Sequence, residues 1–233
     1  MKSNMFLRRL GWALLTSLSL AACHNPVRPK QPLHSPDGHV AIGFGLSSSG
    51  RPQYWVTDHD SIVMDTSGLG LVLRDSSIQL VDGFELLGTD TLEFDETWSL
   101  PWGERDSLRN HYRQYTVHLQ QKSWRRERLD VVMRAYDDGV AFRYHIPLQD
   151  SLSAFTLADE MTEFQIVGDP TCWWIPGDWD SYEHLYNQTK VSEINALAKA
   201  HHPNLVCSTI PYNAVATPFT MRMAAGRHIS IHE

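Results

Sequence analysis

Hydrophobic and polar residues alternate with a period of two along most of the chain, most clearly in residues 129–147. Successive side chains of a strand point to opposite faces, so this period predicts two β-strands. Asp138-Gly139 between them predicts a two-residue hairpin loop, because Gly accepts the positive φ of a primed turn. The predicted register pairs apolar residues on one face: Ala135 with Phe142, Met133 with Tyr144 and Val131 with Ile146. The other face is more polar and sets Arg134 opposite Arg143, which is unfavourable unless an acid lies between them.

The same period, interrupted by turns, continues on both sides of this hairpin. Residues 35–38, Ser-Pro-Asp-Gly, form a turn before the first long strand, and residues 219–223 and 228–232 form a last hairpin around Ala225-Gly226. Apolar residues recur at helical spacing in residues 191–200, which predicts one short helix. The pattern therefore predicts an all-β sandwich with one short helix.

Residues 1–22 have the pattern of a secretion signal. A positively charged start is followed by an apolar run, residues 10–20, that is too short to cross a bilayer comfortably. The run ends in Leu20-Ala21-Ala22-Cys23, which predicts a lipoprotein whose Cys23 becomes the lipidated N-terminus; the alternative is an ordinary cleavage site with a coincidental Cys. Residues 23–34 are Pro-rich and polar and predict a tether. Without an acidic run after Cys23, a periplasm-facing anchor in the outer membrane is favoured.

Composition narrows the function classes. The 233 residues carry a formal charge of −7 without a basic stripe, which argues against nucleic acid as a partner. The two further thiols, Cys172 and Cys207, either form a disulfide, which an oxidising periplasm permits, or remain buried and free. The sequence contains no G-x-S-x-G elbow, phosphate-binding loop or H-E-x-x-H zinc motif.

Two aromatic segments are candidate sugar-binding sites. A flat indole ring covers the C–H face of a sugar while neighbouring polar groups bind its hydroxyls. The candidate substrate-binding residues are Trp102, Glu104, Arg109, Asn110, Trp174 and Trp179. The alternative is that these rings pack on the sheet or against a neighbouring domain, which is the commoner use of aromatic side chains.

The run Tyr136-Asp137-Asp138-Gly139-Val140-Ala141-Phe142-Arg143-Tyr144 closely resembles the central hairpin of the N-terminal domain of glycoside hydrolase family 97. Trp102-Gly103-Glu104, followed by Arg109 and Asn110, is similar to a second segment of that family. The resemblance covers residues 35–233, and the family is typical of glycan-degrading Gram-negative bacteria. It implies a large, galactose-mutarotase-like β-sandwich, incomplete at its C-terminus, that forms residues 35–233.

The resemblance also implies a function. The chain would be the N-terminal domain of a secreted, calcium-dependent, exo-acting α-glycosidase that acts on oligosaccharides, with either α-glucosidase or α-galactosidase specificity. In such enzymes the two carboxylates needed for glycoside hydrolysis lie on a (β/α)8 barrel that follows this domain, so the chain is expected to be truncated and to carry no catalytic residue. The competing hypothesis is a stand-alone, lipid-anchored carbohydrate-binding or scaffold domain without catalysis.

Glu233 is the metal ligand that the resemblance implies, because the family lends one glutamate from this strand to a calcium ion beside the catalytic pocket. Alternation puts Glu233 on the same face as Ile229 and Ile231, and His232 on the opposite face. Calcium takes about six to eight oxygen ligands, so the remaining ligands would come from the barrel. The alternative is a solvated glutamate at the end of a strand.

Overall fold

The computed structural model describes residues 31–75, 77–150, 152–201, 204 and 208–232. The predictions for the signal segment, Cys23, most of the tether, Cys207 and Glu233 lie outside these residues. Within them, strands predominate and helical structure is confined to short turns, which confirms the all-β prediction. We find no helix among the described residues with the length and hydropathy that crossing a membrane would require.

The strands follow one another as β1 (Leu33–His34), β2 (Val40–Leu46), β3 (Pro52–Asp58), β4 (Ser61–Gly68), β5 (Leu71–Leu73), β6 (Gln79–Leu80), β7 (Phe84–Ser99), β8 (Ser107–Gln121), β9 (Arg128–Tyr136), β10 (Gly139–His145), β11 (Leu157–Glu160), β12 (Thr171–Trp174), β13 (Asn187–Lys190), β14 (Phe219–Arg222) and β15 (His228–Ile231). Within the described residues they form antiparallel sheets with the orders β1-β2-β3-β4, β10-β9-β8-β7, β11-β5-β6 and β13-β12-β14-β15. Strand β1 begins in the segment predicted to be a tether: Leu33 is buried and pairs with Ile42.

The main core lies between the first two sheets. Strands β2 and β3 contribute Ile42 and Tyr54, while β8 and β9 contribute Val117 and Met133, and all four side chains are buried. A second, smaller core lies under the fourth sheet and contains Cys172, Trp174, Ala196, Phe219 and Met221. Ile166 and Ile231 pack against both cores. The fourth sheet is therefore joined to the sandwich by apolar contacts.

The central hairpin forms, but its register differs from the prediction. The loop is Asp137-Asp138, and Tyr136 pairs with Gly139 while Phe142 pairs with Met133. The φ of Gly139 is not positive, so the predicted primed turn at Asp138-Gly139 is wrong. A shift of two residues leaves each side chain on its predicted face. It also places Ala141 opposite Arg134, so the unfavourable Arg134–Arg143 pair is absent.

Two 3-10 turns, Val191–Glu193 and Leu197–Lys199, replace the single short helix predicted for residues 191–200. Ile194 between them is extended. The side chain of Asn213 explains the break, because its oxygen accepts a hydrogen bond from the Ala196 N–H at 2.6 Å and its nitrogen donates to the Ile194 carbonyl at 3.1 Å. These contacts satisfy backbone groups that a continuous helix would pair internally.

Arg51 ties the first sheet to the segment that leads to the fourth sheet. Its guanidinium donates to Glu163 Oε1 at 2.8 Å and to the Met161 carbonyl at 3.0 Å. The second carboxylate oxygen of Glu163 accepts a hydrogen bond from the Gly68 N–H at 2.9 Å. A Cβ at Gly68 would lie 2.3 Å from Arg51 Cζ, so the guanidinium occupies the space that any other residue would fill.

We predict that Gly68→Ala lowers the free energy of unfolding by roughly 1–3 kcal/mol, because it displaces Arg51 from its acceptors. Urea unfolding monitored by circular dichroism measures the change. Gly139→Ala is the matched control, because Gly139 has open space at the Cβ position and needs no positive φ. It should change stability by no more than about 0.5 kcal/mol. Equal losses in the two variants would contradict this account of the Arg51 contact.

Candidate functional site

Strands β7 and β8 form a long hairpin whose distal part continues past the end of strand β9, which pairs with β8 only as far as Arg113. At the base of this part Tyr112 is buried and Tyr115 packs against the main core. We call residues 91–115 the arm; most of its side chains are exposed. Cross-strand pairing gives the arm two different faces. One face carries the pairs Glu93–Arg113, Asp95–His111 and Thr97–Arg109, and the other carries Leu92–Gln114, Phe94–Tyr112, Glu96–Asn110 and Trp98–Leu108. One face of the arm therefore carries mostly charged side chains, and the other combines aromatic and aliphatic side chains with the polar pair Glu96–Asn110.

The turn at the tip of the arm displays Trp102. Its side chain is 85% exposed, and Glu104 beside it is also exposed. The Leu100 N–H donates to the Asp106 carbonyl at 2.9 Å, which closes the turn, and Gly103 adopts a φ of +127° within it. An indole held out in this way is free to stack on the apolar face of a ligand.

Arg109 is held by a two-pronged ion pair. Its Nε and Nη2 donate to the two oxygens of Asp95 at 2.7 and 2.6 Å. The hydrogen bonds from Arg109 hold the pKa of the Asp95 carboxyl below its ordinary value. Asn110 pairs with Glu96 on the opposite face of the arm. The four candidate residues predicted around Trp102 therefore share one hairpin, but Arg109 and Asn110 point away from each other.

The two tryptophans predicted in the second segment have different surroundings. Trp174 is 2% exposed, lies in the second core and donates from Nε1 to Thr189 Oγ1 at 3.0 Å. Its ring has no free face for a sugar, so the structure makes Trp174 a core residue and corrects its prediction as a substrate-stacking side chain. Trp179, in contrast, is 71% exposed.

A buried Asp–His pair organises the loop that carries Trp179. Asp178 Oδ2 accepts from His184 Nε2 at 2.9 Å and from the Ser208 N–H at 3.2 Å. Its Oδ1 accepts from the N–H groups of Asp180 at 2.9 Å and Ser181 at 3.2 Å. The backbone N–H of Asp180 and then the imidazole of His184 hold the pKa of the Asp178 carboxyl below its ordinary value. The carboxylate thus fixes both sides of the loop.

This frame displays several aromatic rings to solvent. We call the exposed side chains Trp179, Tyr182, Tyr186 and Tyr212 the aromatic surface. Tyr212 belongs to a neighbouring segment that runs beside the loop, since the Gly177 N–H donates to the Ala214 carbonyl at 2.8 Å and the Ile210 N–H to the Gly177 carbonyl at 3.1 Å. Rings on such a frame lose little conformational freedom when they bind a ligand.

Sequence reasoning missed Asp178 and His184. The available signal was an Asp followed two and three residues later by Asp180 and Ser181, which is typical of a side chain that caps its own turn. The partner His184 gave no comparable signal, because only the folded loop brings it to the carboxylate.

Cys172 is a buried free thiol that donates to the Thr189 carbonyl at 3.4 Å, and burial raises its pKa.

Clustered carboxylates, which supply most ligands of a calcium site, are not found among the described residues. Among them, no group of three or more His, Cys, Asp or Glu side chains is placed to hold a metal ion. Glu233, the predicted ligand, lies outside the described residues. The strand before it alternates as expected: Ile229 and Ile231 are half-buried, while His228 and Ser230 are exposed. Calcium takes about six to eight oxygen ligands, so any site that includes Glu233 needs oxygens from elsewhere.

Comparisons with known proteins agree on one family. The family model described as glycosyl-hydrolase 97 N-terminal matches residues 33–233. A retaining α-galactosidase of Bacteroides thetaiotaomicron is 26% identical over 175 residues, which cover 70% of this chain and 24% of that protein. A solved glycoside hydrolase family 97 enzyme from Pseudoalteromonas sp. strain K8, in complex with panose, has a TM-score of 0.73 and 28% identity, covering 87% of this chain and 28% of that one.

A β-arabinopyranosidase has a TM-score of 0.71 at 19% identity, over 87% of this chain and 31% of that one, which is a likeness of fold alone. The chain spans about a quarter of the length of the α-galactosidase and of the Pseudoalteromonas enzyme.

We predict that Asp178→Asn lowers the free energy of unfolding by roughly 1–3 kcal/mol at pH 7, because it removes the charge that binds His184 and three backbone N–H groups. The exposed Asp180 is the matched control, and Asp180→Asn should have little effect. Urea unfolding of the three proteins provides the measurement.

The difference between wild type and Asp178→Asn should depend on pH. A carboxyl whose pKa is lowered by folding stabilises the protein above its unfolded pKa of about 4, and this stabilisation is lost as the pH falls through the lowered native value. The two proteins should therefore converge in stability below about pH 4. A difference that stays constant into that acid range would refute the role of the Asp178 charge.

Proposed function

The chain belongs to the glycosyl-hydrolase 97 N-terminal family, and from this premise we propose that it is the N-terminal part of a secreted, calcium-dependent, exo-acting α-glycosidase with α-glucosidase or α-galactosidase specificity. The observation that carries the proposal is the family match over residues 33–233. It is supported by the similarity to a retaining α-galactosidase and to a family 97 enzyme in complex with panose.

We propose that this domain contributes side chains to an oligosaccharide-binding pocket. The chemistry of the exposed side chains supports this role. Trp102 and Trp179 present apolar rings that can cover the C–H face of a sugar. The Glu104 carboxylate can accept hydrogen bonds from sugar hydroxyls, and the Asn110 amide can both accept and donate them. Arg109 keeps its charge neutralised by Asp95, so its part would be to hold the arm in shape. Trp174 supports the fourth sheet from within its core.

The catalytic carboxylates are proposed to lie outside these 233 residues, on a barrel domain of the same protein. Hydrolysis of a glycosidic bond needs two carboxyl groups that flank the bond at a defined separation. The lengths of the relatives support a separate catalytic domain, because the chain spans 24% of the α-galactosidase and 28% of the Pseudoalteromonas enzyme. A carbohydrate-binding or scaffold domain without catalysis is the competing function, and the exposed aromatic surface would serve it equally well.

We predict that the whole protein releases nitrophenol from a p-nitrophenyl α-galactoside or α-glucoside, and that the purified 233-residue chain releases none. The assay follows absorbance of nitrophenolate with equal molar amounts of the two proteins. A whole protein that hydrolyses neither substrate but binds oligosaccharides would support the competing function. Hydrolysis by the chain alone, lost on replacing one of its own acids, would overturn the proposed division of labour.

We further propose that Glu233 supplies one ligand to calcium and that the remaining oxygens come from the barrel. Glu233→Gln in the whole protein should weaken calcium binding about tenfold or more, because a neutral amide replaces a charged ligand. Titration calorimetry measures the affinity directly, without relying on activity. His232→Ala is the control, since alternation turns His232 to the other face. Unchanged affinity in Glu233→Gln would remove the assignment.

The proposed location is the periplasmic face of the outer membrane, through lipidation of Cys23. Two acyl chains give stable anchoring where one chain is marginal. Metabolic labelling with palmitate should mark the wild type and leave Cys23→Ala unmarked. Equal labelling of both proteins, or of neither, would contradict the anchor.

A further inference from the structure

A cavity of about 320 Å³ lies at the edge of the fourth sheet, away from the arm and from the loop that carries Trp179. Residues 167–171 form one wall, and Lys190, Arg222 and Met223 line the remainder together with Ala224. This space is open to solvent on one side and is ample for a small ion and part of an attached group.

Strand pairing brings two cations and a hydroxyl to this cavity. Thr171 on β12 lies directly opposite Lys190 on β13 and also directly opposite Arg222 on β14. Side chains of directly opposed residues point to the same face of a sheet, with neighbouring Cβ atoms about 5 Å apart. The ammonium, hydroxyl and guanidinium therefore project side by side from one face, and all three residues line the cavity.

The two cations have no ion-pair partner among the described residues. Among all described residues, the arginines that form ion pairs are Arg51, Arg109, Arg113, Arg126 and Arg227. One acid, Asp169, also lines the cavity. Its two oxygens accept hydrogen bonds from the Ser192 N–H at 3.0 Å and the Ser192 hydroxyl at 2.8 Å, and these bonds, followed by the charge of Lys190, hold the pKa of its carboxyl below its ordinary value. These hydrogen bonds come from neutral donors and leave the Asp169 carboxylate its charge, so two positive charges and one negative charge face the cavity, which is positive on balance.

The guanidinium of Arg222 is held over an aromatic ring. Arg222 Cζ lies 5.9 Å from the centroid of the Trp173 ring, and this ring stacks with His228 at 6.1 Å between centroids. At this distance the contact is a loose cation–π interaction, and the guanidinium carries five N–H donors that can bind an oxyanion in a two-pronged manner. The contact with Trp173 leaves the N–H donors of Arg222 available to the cavity.

We propose that this cavity is a binding site for a tetrahedral oxyanion of the sulfate type, either free or as a sulfate ester on a saccharide. Lys190 supplies a point charge, Arg222 a planar pair of donors and Thr171 a hydroxyl donor between them. Charge-assisted hydrogen bonds of this kind are shorter and stronger than neutral ones. The site is independent of the glycosidase proposal, because none of its residues belongs to the predicted sugar-binding or calcium-binding set.

Equilibrium dialysis of the whole chain with ³⁵S-labelled inorganic sulfate, at ionic strength held constant with sodium chloride, tests the proposal. Saturable binding of one sulfate per chain is the expected result. Binding that rises linearly without saturation would show that no oxyanion site exists. Competition by galactose 6-sulfate then identifies the source: displacement indicates that an ester fits, and no displacement indicates that only the free ion fits.

Amino-acid substitutions test whether the sulfate binds at Lys190 and Arg222. Lys190→Gln and Arg222→Gln should each raise the dissociation constant about tenfold, the loss expected for one charge-assisted contact, and the double variant should bind no measurable sulfate. Lys199→Gln is the matched control, because Lys199 is an exposed lysine in the 3-10 turn Leu197–Lys199, outside the cavity. All substituted side chains are exposed, so melting temperatures should stay near the wild-type value. Wild-type affinity in the double variant would overturn the proposal.

Discussion

The hydrogen bonds of Arg51 hold the segment that leads to the fourth sheet and to the loop of Asp178 against the sandwich. Arg51 donates to the carboxylate of Glu163 and to the Met161 carbonyl, and the hydroxyl of Tyr54 in the main core donates to the Glu163 carbonyl at 2.8 Å. The ion pair alone is worth little, since its side chains are 25% and 52% exposed. The bonds to carbonyls matter more, because they fix the course of the chain toward Ile166, which packs against both cores. The fourth sheet, the loop organised by Asp178 and the oxyanion cavity all follow that point.

Alternation predicted the strands and their faces because burial acts on every second residue, whatever the register. A shift of two residues in the central hairpin therefore left Met133 and Phe142 on their predicted face while changing their partners. The turn was wrong because the conformational freedom of Gly139 permits a primed turn without requiring one. The helix was wrong because Asn213, far along the chain, satisfies the backbone on either side of the break. Local sequence carries no information about such a partner.

The candidate site was only partly predictable for the same reason. Trp174 and Trp179 lie in one aromatic run, and nothing in that run shows that one ring is buried in the second core and the other is exposed. The sequence likewise grouped Arg109 with Asn110, although strand alternation sends them to opposite faces of the arm. The organising Asp178 depends on His184 and on the Ser208 N–H, which only the folded loop brings together. The residues that position the loop of an exposed ring were thus harder to find than the ring itself.

This domain is proposed to take part in binding the oligosaccharide substrate of a family 97 glycosidase. A crystal structure of the whole protein with panose bound tests it most directly. If the domain binds the substrate, we expect the indole of Trp102 or Trp179 to lie within about 4 Å of a sugar ring, the distance of van der Waals contact. A sugar bound in the catalytic pocket with no side chain of residues 31–232 in contact would contradict the account.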